Sequence, residues 1–149
     1  MRKLFVLLAL CLLLTPVMAG AFDYKAWVPL LPKTLGGMVP SGEPDGVNVD
    51  MSGQKWSSVN QEYQSKDGRK TVEVAIVAGQ MAPQVQGFQS MVAMNMSMET
   101  DDQIMKTVTV SGKKGILVLD KQAKLGTLTI PVQQDMIVAI TVEPATSPE

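Results

Sequence analysis

The chain reads as an α+β domain: an antiparallel sheet of about six strands, covered on one face by one long helix plus a short N-terminal helix. Three observations predict this. Pro83 to Met98 carries apolar residues at helical spacing. The residues after it fall into short alternating runs separated by turn residues, the layout of a four-stranded meander. Before it, two more runs flank an Asp67-Gly68 turn and read as a β-hairpin.

Residues 1–21 stand apart from that domain. Arg2 and Lys3 precede an unbroken apolar run from Leu4 to Leu14, Pro16 breaks it, and Ala19-Gly20-Ala21 follows. This is the layout of a cleavable signal peptide, with cleavage after Ala21 or after Ala19. The apolar run is shorter than the ~20 residues a membrane-spanning helix needs. Cys11 lies inside that run, after Leu10, which is no place for lipid attachment. The expected product is periplasmic or secreted, with no membrane span after cleavage. Residues 22–143 then form a single domain and 144–149 a flexible tail.

Cys11 is the single cysteine and the chain has no histidine, so the processed protein has neither. Disulfides, cysteine nucleophiles, Ser-His mechanisms, and thiolate or imidazole metal and haem ligation are all excluded. Without Arg2 and Lys3, eleven basic residues face fourteen acids, a net charge of −3. No basic run is longer than Lys113-Lys114. Nucleic acids and anionic membrane surfaces are therefore not expected partners.

Asp23 is placed to cap a short helical turn carrying Tyr24 and Trp27. Pro29 and Pro32 limit its regularity, Leu30, Leu31 and Leu35 follow near helical spacing, and Gly36-Gly37 ends it. Val39 to Gly53, dense in Pro, Gly and Asp, reads as a long loop of the kind that often carries function. Trp56–Ser65 and Lys70–Ala78 are the hairpin strands. Val72, Val74 and Ile76 face one way and Thr71, Glu73 and Ala75 the other, whereas the first strand is polar, as expected near an edge.

In the long helix, Val85, Phe88, Val92 and Met96 form one stripe, flanked by Met91, Met94 and Met98. Pro83 suits the first turn, and the acids from Glu99 onward are poorly placed at a helix C-terminus, so the helix is expected to end near Met98. The meander strands are Ile104–Val110, Gly115–Asp120, Gly126–Val132 and Met136–Val142. Pro131 has no N–H for a ladder, so its strand is expected at an edge or bulged there.

Trp27, Leu30-Leu31-Pro32, a Gly-rich loop, a Tyr-bearing hairpin, a helix and Val108-Thr109-Val110-Ser111-Gly112 follow one another in this order. In that order the mature chain resembles small uncharacterised exported bacterial proteins, and its layout is similar to that of PsbP-like domains. The resemblance implies a small non-enzymatic lumenal or periplasmic module and carries over no catalytic residues.

The candidate chemistry centres on methionine. Met91, Met94 and Met98 on one helix flank, with Met96 beside them, admit three readings: core packing, a soft surface for an envelope protein or apolar small molecule, or a Cu(I) site of thioethers. Trp56 and Tyr63 are candidate pocket residues on the sheet face opposite the helix, although their opposite strand parity requires a bulge to align them. Ser52-Gly53-Gln54-Lys55 matches a Ser-x-x-Lys nucleophile pattern, but Gly53 and the strand that follows oppose the helical turn it needs. Glu99, Asp101 and Asp102 lack a calcium-loop pattern and read as solvated acids. The composite expectation is a non-enzymatic exported binding module without a cofactor, engaging a partner through the methionine flank and the 39–53 loop. The alternative is Cu(I) handling through Met91, Met94, Met96 and Met98.

Overall fold

The computed structural model describes residues 23–145; the expected signal peptide and residues 146–149 of the expected tail lie outside them. Nine strands form one antiparallel sheet: β1 (Val39–Pro40), β2 (Asp45–Met51), β3 (Gln54–Gln64), β4 (Thr71–Ala78), β5 (Ser97–Glu99), β6 (Gln103–Val110), β7 (Lys113–Asp120), β8 (Leu125–Gln133) and β9 (Met136–Glu143). The helix α1 spans Pro83–Met94. In space the order is β3-β4-β9-β8-β7-β6-β5, and both β1 and β2 pair with the outer side of β3. The last strand of the chain thus sits in the middle of the sheet, beside β4.

The hairpin and the meander form as their alternation predicts. Pro131 lies in an interior strand, and the β8–β9 register shifts between Pro131 and Gln133, which is the bulge its missing donor demands. Several hairpins close through short turns with positive φ. Ser111-Gly112 (φ 48° and 78°) joins β6 to β7, and Ser52-Gly53 (φ 55° and 84°) joins β2 to β3.

Three expectations are corrected. The segment 39–53 is not a loop, because most of it is β1 and β2. Val47, Val49 and Met51 alternate with Asn48 and Asp50 and run directly into the Ser52-Gly53 turn. The helix is not long: it ends at Met94, where Asn95 adopts the left-handed conformation (φ 47°) and its N–H donates to the Val92 carbonyl. Met96-Ser97-Met98-Glu99 alternates, and it pairs with β6 where a continued helix would leave that strand's backbone unpaired. The short N-terminal helix is a pair of 3-10 turns, Tyr24–Ala26 and Val28–Leu30. Asp23 caps the first by accepting from the Lys25 N–H at 3.0 Å. Gly36-Gly37 serves as a tight reversal between Leu35 and Met38, whose N–H and C=O groups pair reciprocally at 3.0 Å.

The expectation of one covered face is also corrected: the N-terminal turns and α1 pack on opposite faces of the sheet, each with its own core. On one face Trp27, Leu31 and Leu35 from the N-terminal segment pack on Val59, Tyr63, Val74, Ile130 and Val138. On the other, Ala82, Val85 and Phe88 pack on Val77, Ile116 and Ile137. Full burial of each large aliphatic side chain contributes about 1.5–3 kcal/mol. Covering on both sides explains why Ile76, Val77 and Ala78 are consecutively buried in β4.

Candidate functional site

A helix of 12 residues is about 18 Å long at 1.5 Å per residue. Seven strands at about 4.8 Å spacing span roughly 29 Å from β3 to β5. This helix therefore covers only part of its face, and α1 rests on β4 and β7. Beside it lies an open groove of about 460 Å³. Asn60, Glu73, Ala75, Thr129 and Ala139 contribute to its sheet side, and Gln84, Gly87, Phe88 and Met91 form the helix wall. Val77, Ile116 and Ile137 continue the lining from beneath Phe88.

The floor leaves room because its residues are small. Ala75 faces Ala139 across β4–β9, and Thr129 faces Ala139 across β8–β9. Ala75, Thr129 and Ala139 are only half-buried. Gly87 widens the wall: a Cβ there would meet no atom within 4 Å. Glu73 is the one ionisable side chain in the lining, and Asn60 Nδ2 lies 3.5 Å from its Oε2. Across the strand pair Glu73 faces Glu62, whose carboxylate accepts from the Ser41 hydroxyl at 2.6 Å. Among the described residues, neither glutamate has an ion-pair partner. The groove is thus largely apolar, with Gln84 on its helix wall and one carboxylate, Glu73, on its sheet side.

The expected site residues are dispersed over this frame. Met91 lines the groove and is half-buried. Met94 ends the helix one turn beyond Met91 on the same flank, with 63% of its surface exposed, whereas Met98 lies on β5 and leaves that flank. Trp56 and Tyr63 do not converge. The register of β3 against β4 is regular from Ser57 to Gln64, so no bulge brings their faces together. Trp56 packs at the helix-side core, whereas Tyr63 is fully buried on the opposite face and its hydroxyl donates to the Pro32 carbonyl at 2.7 Å.

Other sequence features resolve into structure. The Ser52-Gly53 pair is a turn, and Lys55 Nζ lies 3.5 Å from an Asp50 carboxylate oxygen. Lys113 opens β7, and its ammonium donates to the Val132 carbonyl at 2.9 Å. Among the described residues, no helix is long and apolar enough to cross a membrane, and no group of three or more His, Cys, Asp or Glu side chains is placed to hold a metal.

Sequence reasoning overlooked Glu73, Gly87 and the Ala75–Ala139 floor. Small residues on inward-facing strand positions were the available signal, since a sheet face packed tightly against a helix carries larger side chains there. Compared with protein-family models, with curated proteins and with solved structures, the chain matches none. The resemblance to PsbP-like domains rests on element order alone.

Proposed function

We propose that this protein is an exported, non-enzymatic binding module that holds an apolar small molecule in the groove between α1 and the sheet. The observation that carries the reading is the groove itself. It has about 460 Å³ of space with Phe88, Met91, Val77 and Ile116 in its lining and a single carboxylate, Glu73. That volume falls within the usual range for small-molecule sites, which are mostly apolar with a few polar groups that fix orientation. Glu73 and the Asn60 amide suit a ligand whose polar end donates hydrogen bonds or carries positive charge. The non-enzymatic part of the reading rests on composition, since outside Cys11 the chain has no thiol or imidazole. Export rests on the charged, apolar and small-residue order of residues 1–21.

Titration with the apolar fluorophore N-phenyl-1-naphthylamine tests the groove. Saturable binding at one site is expected, and it should be lost in Gly87→Leu, whose side chain would occupy the open wall. Absence of saturable binding, or binding indifferent to Gly87→Leu, would overturn the reading. N-terminal sequencing of the protein recovered from the cell envelope tests export, with a start at Gly20 or Phe22 expected.

A further inference from the structure

The early end of α1 creates a methionine arrangement that a longer helix would not. The chain turns at Asn95 and runs antiparallel to β6, and Met98 stands directly opposite Met105. Met105 in turn stands opposite Val118, which lines the groove, so both methionines project on the helix side of the sheet. Met96 lies two residues before Met98. The ladder continues through it, because the Thr107 N–H donates to the Met96 carbonyl at 2.8 Å. Residues two apart on a strand share a face. Met96 therefore joins Met98 and Met105 on one side of the sheet edge.

Directly opposite residues hold their Cβ atoms about 4.5–5.5 Å apart, and diagonal neighbours lie about 7–8 Å apart. Flexible methionine side chains span such distances readily. Met91 packs on the same helix-side cluster as Met105. These positions are only partly covered. Met98 is 37% exposed, and Met96 and Met105 are half-buried. Ser97 and Glu99, which alternate with these methionines, fall on the opposite face.

We infer that Met96, Met98 and Met105 form a soft-metal site for a monovalent d10 cation, Cu(I) or Ag(I), at the β5–β6 edge. Thioether sulfur is a soft ligand that selects Cu(I) over harder ions. Three neutral sulfurs need no deprotonation, so binding releases no proton and varies little with pH. None of the three ligands lines the apolar groove, so the site is tested independently of it.

The test is Cu(I) titration of the purified protein under anaerobic reducing conditions in competition with bicinchoninate, with Ag(I) followed by NMR of 13C-methyl methionine. One Cu(I) per chain is expected, with a dissociation constant below about 1 μM. Ag(I) should shift the Met96, Met98 and Met105 methyl signals and leave that of Met51 in place. Met98→Leu and Met105→Leu should each weaken binding at least tenfold, whereas Met51→Leu should not change it. Methionine and leucine exchange with little loss of stability, so the variants are expected to remain folded, and their melting curves verify this. No competition with bicinchoninate overturns the site. So does affinity unchanged in the Met96/Met98/Met105→Leu triple variant.

Discussion

The hydroxyl of Tyr63, at the far end of β3, donates a 2.7 Å hydrogen bond to the carbonyl of Pro32, 31 residues earlier in the chain. Tyr63 is fully buried among Leu35, Val72 and Val74, so this bond anchors the irregular N-terminal segment to the sheet. Tyr63→Phe keeps the ring and removes the donor. It is expected to lower unfolding stability by about 1 kcal/mol, the usual worth of one hydrogen bond. Urea denaturation measures this, and an unchanged midpoint would show that the bond anchors nothing.

Gly79, between β4 and α1, has φ 125°, and a Cβ there would lie 2.5 Å from the Trp56 Cβ and 2.7 Å from the Lys55 carbonyl oxygen. Neither neighbour is the loose end of a side chain. Gly79→Ala combines backbone strain of about 1–3 kcal/mol with that overlap. Thermal melting should show a loss of more than about 2 kcal/mol. A variant as stable as the parent would mean that the helix entry relaxes freely.

Gly87 is the opposite case, lying in the middle of α1 with open space where its Cβ would be. Gly87→Ala should stabilise the protein by about 0.5–1 kcal/mol, because glycine in a helix interior loses more backbone entropy. The same two-state melting experiment reads it. A destabilised variant would place the helix closer to the sheet than described.

Asp23 and Asp67 provide an acid-sensitive contribution. The hydrogen bond from the Asn48 amide, followed by that from the Lys25 N–H, holds the Asp23 carboxyl below its ordinary value of 3.8. The Ser65 hydroxyl, followed by the Arg69 N–H, does the same for Asp67. A carboxyl depressed in the folded state binds fewer protons there than in the unfolded chain. Its stabilisation is therefore complete above the ordinary value and is lost as pH falls through the lower, folded one. The melting temperature should fall below pH 3.8, and Asp23→Asn with Asp67→Asn should flatten that limb. An unaltered acid limb in the double variant would assign the effect to other carboxylates.

Much of the fold was legible in local pattern. The alternation of Val72, Val74 and Ile76 located β4, the four runs after Gln103 located the meander, and Pro131 marked its strand as either an edge or bulged, of which the structure has the bulge. Met96–Glu99 was harder, because four residues satisfy helical and strand spacing almost equally. What decided it was the unpaired edge of β6 waiting for a partner. β2 was obscured for a related reason: its alternation was short and lay between Pro-Gly-rich neighbours. The groove was out of reach, since it arises from the mismatch between helix length and sheet width.

By itself the sequence determined the class of the fold, the turns that demand glycine, and the near absence of thiol and imidazole chemistry, because each depends on residue type or on neighbours close along the chain. Tertiary structure decided that β9 runs down the centre of the sheet, that no bulge brings Trp56 and Tyr63 to one face, and that Met98 meets Met105 across an edge. The β4–β9 pairing joins segments far apart in sequence, and the Met98–Met105 pairing exists only because α1 stops at Met94. They depend on which hydrogen-bonding edges and apolar faces remain to be satisfied once the rest of the sheet has formed.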